Sequence, residues 1–259
     1  MSVSENANVA PGPGRSVFGH PPGLTVLFLT QTWAEFSYFG LQAMLVLYMT
    51  QQLNLPQAQS SIIYGIYTGC AFFSPFLGGI IADRWLGKTT SVVIGGVLMM
   101  FGHFAMAFES LLFPALALVA IGNGLFIPPL AVQISALYAE GDARRDQAFS
   151  AYYMGINLGA FAAILLCPLL AQFYGWHWGF AAAGFGMALG LIVYLSFRRL
   201  LPAELGREAR QKQERKPLSQ SDWKALATLV GVIAVVILFR IAYEQSGNTI
   251  MLWVSDRTQ

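Results

Sequence analysis

The stretch GGIIADRWLGKTT, Gly78 to Thr90, ends one long apolar run and starts another. The first run covers about 59–82 and the second about 89–108, each near the roughly 20 residues needed to cross a bilayer core. Between them lie Asp83, Arg84 and Lys88. The stretch therefore reads as a short charged turn joining two spanning helices. Gly78 and Gly79 let neighbouring helices approach closely, and the three charges can form a latch at the membrane surface.

Working outward from this turn, the same length rule predicts seven spanning helices, at about 24–51, 59–82, 89–108, 111–138, 146–172, 177–198 and 223–253. Composition agrees. Of 259 residues, 56% are hydrophobic and 11% are charged, against about 25% charged in a soluble domain. Pro75, Pro128, Pro129 and Pro168 fall inside the predicted helices, where bilayer proteins tolerate them. Cys70 and Cys167 sit in apolar runs without cysteine or histidine neighbours and read as packing residues, not as a disulfide or metal site. Residues 1–23 lack the basic and apolar regions of a signal peptide and read as a flexible tail, leaving the first helix as an uncleaved insertion signal.

The basic residues set an orientation. Arg15 precedes helix 1, Arg84 and Lys88 join helices 2 and 3, and Arg144 and Arg145 join helices 4 and 5. Eight more, from Arg198 to Lys224, lie between helices 6 and 7. The positive-inside rule then places the N-terminus and the even-numbered loops in the cytoplasm, with Arg240 and Arg257 the exceptions. Residues 199–222 read as a cytoplasmic linker, in which ELGREARQKQER forms a short surface helix or contacts lipid headgroups. The expected organisation is a tail (1–23), a six-helix bundle (24–198), the linker (199–222), and the first helix of a second bundle (223–259). Six helices plus one suggest a larger protein cut short, its C-terminal six-helix bundle missing.

Three charges remain inside the predicted helices: Glu35, Arg240 and Glu244. Each is costly in lipid and is expected to face the protein interior or a wet cavity. At 1.5 Å per residue, Glu35 lies about 17 Å into helix 1 and Arg240 about 25 Å into helix 7. Arg240 and Glu244 are spaced i, i+4 and can pair on one face. Gln31, Glu35, Tyr38 and Phe39 share a face of helix 1 and form a polar and aromatic stripe suited to a central cavity. Intramembrane ionisable residues point to proton or substrate handling; the plainer alternative is an ion pair that only orients helices 1 and 7. His103, alone in an apolar run, reads as a satisfied packing histidine and less readily as a proton relay.

The opening stretch resembles the loop motif of the major facilitator superfamily, G-x-x-x-D-R/K-x-x-G-R/K, carried here by Gly78, Gly79, Asp83, Arg84, Gly87 and Lys88. Further segments are similar to motifs of the proton-dependent oligopeptide transporter family. FSAYYMGINLGAF (149–161) resembles its helix 5 signature, YGWHWGF (174–180) its approach to helix 6, and AYEQSGNTI (242–250) its helix 7 motif. GNGLFIPP (122–129) resembles its helix 4 pattern, and QTWAEFSYFG (31–40) its helix 1 motif, E-x-x-E-R-F-x-Y-Y-G. The resemblance covers about 24–255. It implies an all-α polytopic membrane protein built as a major facilitator N-terminal bundle plus a seventh helix. It also implies alternating access and inward transport of di- and tripeptides driven by protons. Tyr38, Asn157 and Glu244 match positions lining the family's central peptide site, with Gln31 on the same stripe as Tyr38. Phe39 and Phe72 stand where tyrosines are usual.

The departures carry a second expectation. The family's helix 1 acids and arginine are replaced by Gln31, Ala34 and Glu35, and its helix 4 lysine by Ile127. Arg240 stands at a commonly aromatic position of helix 7. The acid is thus on helix 1 and the base on helix 7, and a Glu35–Arg240 or Arg240–Glu244 pair is expected to replace the lost coupling network. No nucleophile constellation, phosphate loop or metal-ligand cluster marks an enzyme, and no cofactor beyond the coupling proton is implied. The expected partners are small peptides, the lipid bilayer and the second bundle, with no nucleic acid. A seven-helix receptor or sensor is the competing class, opposed by the cytoplasmic N-terminus; an inactive transporter-derived fragment is the other.

Overall fold

A computed structural model describes residues 19–204 and 219–258. The expected tail up to residue 18, and all but Glu204 of the surface helix expected over 204–215, lie outside the described residues. Eight α-helices are described: α1 (Pro22–Leu47), α2 (Gln57–Ile81), α3 (Lys88–Ala105), α4 (Leu112–Ser135), α5 (Arg144–Tyr174), α6 (Trp176–Ser196), α7 (Gln220–Tyr243) and α8 (Thr249–Thr258). A π-helical turn extends α1 through Gln52 and another extends α2 through Leu86. Gly87 then turns the chain at φ 86° and α3 begins at the next residue. That left-handed angle suits glycine, so the loop motif ends in a turn too tight for a longer connection. Gly175, at φ 100°, does the same between α5 and α6.

Among the described residues, six helical stretches are long and apolar enough to cross a membrane, and the chain is an integral membrane protein. α1 is not among the six. Its 26 residues are ample, but Gln31, Glu35, Ser37 and Gln42 make it too polar, and most of its length is buried in the bundle.

α1 lies along α5 and α6, α4 lies along α2 and α3, and α3 joins the two groups through α6. Lipid tails are as apolar as leucine, so close backbone approach and interhelical hydrogen bonds hold such a bundle. A side chain at Gly78 would collide with the Gly124 carbonyl of α4. Beside this contact the Ser74 hydroxyl donates to Ala120 O at 2.7 Å and the Asn123 amide to Ala71 O at 3.1 Å. Gly159 of α5 meets the Thr32 carbonyl of α1 just as tightly. Gly79, in contrast, has room for a methyl group against Pro128.

Two apolar clusters stack along the bundle. One gathers Leu41, Met44, Met49, Met106 and Phe180; the other gathers Leu27, Val92, Met99, Phe126 and Tyr194. α1 supplies both, with Ala34 in the second and Phe36 in the first. Glu35 therefore sits where the two clusters meet, at mid-height of the bundle.

Four expectations change. The seventh helix, expected unbroken over 223–253, ends at Tyr243; a 3₁₀ turn, Glu244–Gly247, separates it from α8. The break is held from α2, because the Ser61 hydroxyl donates to Asn248 Oδ1 at 3.0 Å and Gly247 sits against the Tyr64 hydroxyl. The latch of Asp83, Arg84 and Lys88 is not formed: no ion pair among the described residues joins them, and Asp83 and Arg84 are exposed. Instead the Glu204 carboxylate accepts the backbone N–H groups of Lys88 and Thr89, capping α3, as suits a carboxylate at a helix N-terminus. The start of the expected linker thus returns onto the bundle, with Leu201 against the second cluster. Finally, the cysteines differ: Cys167 is buried and Cys70 exposed, both free.

Candidate functional site

α7 touches the bundle mainly through its C-terminal end. Between it and α2 lies a cleft of about 640 Å³, lined by Tyr64, Thr68 and Phe72 of α2 and by Val236, Arg240 and Glu244 across from them. This volume falls within the range of small-ligand sites. The cleft forms because Gly65 and Gly69 of α2 face it without side chains.

Arg240 and Glu244 pair at 3.5 Å across one helical turn. The Arg240 guanidinium also lies over the rings of Phe72, at 5.0 Å, and Tyr243, at 5.3 Å. A cation placed over aromatic rings in this way is electrostatically favourable. The other Glu244 oxygen, Oε2, accepts from Gln42 of α1 at 2.6 Å and from the Tyr64 hydroxyl at 3.5 Å. Gln42 also donates to Tyr64 at 3.0 Å. One carboxylate thereby ties α1, α2 and the end of α7 together.

Glu35 is buried, and it accepts a hydrogen bond from Gln31 Nε2 at 2.5 Å. No direct bond joins Glu35 and Arg240 among the described residues. Of the two ion pairs expected from the sequence, the structure thus forms Arg240–Glu244. Tyr38 is buried between Glu35 and Gln42 on the same stripe; its hydroxyl has no hydrogen-bond partner among the described residues, and its ring meets Phe39 edge-on. Asn157 does not join the group. It is exposed on α5 and donates to the Tyr153 carbonyl of its own helix at 2.8 Å. His103 is fully buried with no partner on either ring nitrogen among the described residues, which corrects its reading as a satisfied histidine.

Sequence reasoning missed Gln42, Tyr64, Ser61 and Asn248. A signal for Gln42 existed: it follows Tyr38 by four residues and Glu35 by seven, so it continues the stripe. Ser61 and Asn248 carry no such signal, because their meeting depends on how α7 docks.

The Major Facilitator Superfamily family model matches residues 27–256. The peptide transporter YePEPT of Yersinia enterocolitica is 36% identical in an alignment of 253 residues that covers 91% of this chain and 49% of that protein. A di-/tripeptide transporter of Lactococcus lactis is 34% identical in an alignment of 246 residues, again covering 91% of this chain and 49% of the relative. Among solved structures, the peptide transporter POT in complex with sulfate is 38% identical with a TM-score of 0.70, covering 88% of this chain and 47% of that one. A POT family transporter in complex with a thioalcohol-conjugated peptide is 31% identical, also with a TM-score of 0.70, covering 89% of this chain and 48% of that one. The chain thus spans about half the length of the relatives it matches. Matched by that family model over most of its length, and similar in fold to about half of the POT structures, this chain belongs to the Major Facilitator Superfamily.

Proposed function

We propose that the chain is the N-terminal part of a secondary transporter that carries di- and tripeptides by alternating access, coupled to protons. One observation carries the reading: Gln42 of the buried α1 stripe bonds to Glu244, at the mouth of a cleft sized for a small peptide. The names of the relatives support it. In this reading Gln31, Tyr38, Phe39, Phe72, Asn157 and Glu244 contact peptide, and Glu35, Arg240 and Glu244 handle the proton. Asn157 then requires a rotamer change that releases the Tyr153 carbonyl. Residues 24–198 form one wall of the site and 223–259 begin the other, which a second bundle completes. The N-terminus faces the cytoplasm, and the membrane is the plasma or inner membrane.

The coupling follows from the bonds. Protonating Glu244 removes the negative charge that Arg240 faces and weakens the charge-assisted bond from Gln42. The second change loosens the end of α7 from α1, the motion that alternating access needs. The test is uptake of a labelled dipeptide into proteoliposomes by the protein as its gene encodes it. Uptake is expected to rise with an inward acid gradient and to collapse with a protonophore. No uptake at any pH, with the protein correctly inserted, would overturn the reading.

A further inference from the structure

Two charged side chains line the cleft between α2 and α7, and they differ in how far the protein already satisfies them. Glu244 Oε2 accepts a 2.6 Å bond from Gln42 and a longer one from Tyr64, and Oε1 faces Arg240. The Arg240 side chain is 45% exposed. Its one hydrogen bond among the described residues is the 3.5 Å contact with Glu244, at the limit of such bonds. A guanidinium has five N–H donors in a fixed fork, so most of them are uncommitted. The guanidinium carbon lies over the rings of Phe72 and Tyr243, and Arg240 lines the cleft, so its uncommitted donors can address a ligand there. The rest of the lining is neutral. An anionic group is therefore the complement this cleft lacks, and a planar one matches the fork with two parallel bonds.

The geometry points to Arg240 as a carboxylate-binding residue that selects ligands by an anionic group placed in the α2–α7 cleft. The inference rests on the peptide reading above for the rest of the ligand. A peptide supplies a carboxylate from its C-terminus or from an acidic side chain, and both have the chemistry that Arg240 recognises.

The test is equilibrium binding to the protein, as its gene encodes it, in lipid nanodiscs. The ligands are dialanine, dialanine amide and Ala-Glu amide. Dialanine is expected to bind about 10- to 100-fold tighter than its amide, the range for a hydrogen-bonded charge. Arg240→Gln is expected to erase that ratio, and Arg240→Lys to keep part of it, since lysine keeps the charge but not the fork. Ala-Glu amide binding as well as dialanine would assign the site to either carboxylate; binding as poorly as dialanine amide would assign it to the C-terminus. Arg240 is exposed, so helicity and thermal unfolding of the variants should match the parent. A wild-type ratio near one, or a ratio unchanged in Arg240→Gln, overturns the inference and leaves the peptide reading standing. If no dipeptide binds, N-acetylglycine separates the two: binding lost in Arg240→Gln ends only the peptide reading, and no binding overturns both.

Discussion

α1 and α7 are both long enough to cross a bilayer, and they invert each other. α1 is too polar to qualify as a span by composition, yet most of its 26 residues are buried. α7 belongs to the most apolar of the six qualifying stretches, yet none of its 24 residues is buried. In a bilayer an apolar side chain loses nothing by facing out, whereas a polar one must find a partner inside. Polarity therefore marks the helix at the centre of the six-helix bundle, whereas the apolar faces of α7 are left, in the proposed reading, for lipid and the second bundle. α1 carries Gln31, Glu35, Tyr38 and Gln42 because those groups have a protein interior to serve. α7 exposes Val230, Val235, Leu238 and Phe239, and meets the bundle chiefly through the polar end that begins at Arg240.

The comparison breaks most sharply at glycine. Gly159 packs on the α1 backbone at Thr32, whereas a side chain at Gly231 of α7 would meet nothing within 4 Å among the described residues. Gly159→Leu is expected to cost about 3 kcal/mol or more through overpacking, read as loss of a monodisperse folded peak and a lower unfolding temperature in detergent. Gly231→Leu should leave both unchanged. Equal damage from the two would mean that α7 is packed as tightly as α1.

The next effect sits where the helices meet. Gln42→Leu removes the 2.6 Å donor to Glu244 and is expected to cost about 1.5–3 kcal/mol, the range for a bond to a charged group. Its signature is local: amide exchange should accelerate over 244–258 and remain slow in α1. Ser61→Ala removes the neutral bond to Asn248 and should act in the same place by about 1 kcal/mol. If Ser61→Ala proves the larger, the break after Tyr243, not the Glu244 carboxylate, is what docks α7.

Legibility follows the same division. The bundle was readable because apolar length and the turn around Gly87 are local properties of the chain, and the Arg240–Glu244 pair because i, i+4 spacing is local too. Gln42 was harder. Its partner is 202 residues away, and a neutral amide raises no alarm in an apolar run. The break at Glu244–Gly247 was hidden because the apolar character runs on through it to Arg257, and its cause lies on α2. Asn157 was placed by resemblance, which aligns a position but not a rotamer. The latch of Asp83, Arg84 and Lys88 failed for a related reason: Glu204, remote in sequence, takes the backbone that those charges flank.

The smallest expected effect tests how each helix begins. α7 starts with a local capping box, Ser219 and Asp222 bonding each other's backbone. α1 starts against distant chain: the His20 ring bonds the Tyr138 hydroxyl at 2.9 Å, and Arg144 donates to the Gly19 carbonyl at 3.1 Å. Arg144 is aimed by Asp142, which accepts from its guanidinium at 2.7 Å. That guanidinium holds the Asp142 carboxyl down to about 2. A carboxylate whose pKa is lowered by folding stabilises the fold above its unfolded value, near 3.9. The contribution is lost as pH falls through about 2. Asp142→Asn should therefore lower the unfolding temperature slightly at neutral pH, and the gap from the parent should close between about pH 4 and pH 2. The loss should show as faster amide exchange at the start of α1 and none at the start of α7. A gap that persists unchanged at pH 2 would mean that Asp142 acts through its shape and not its charge.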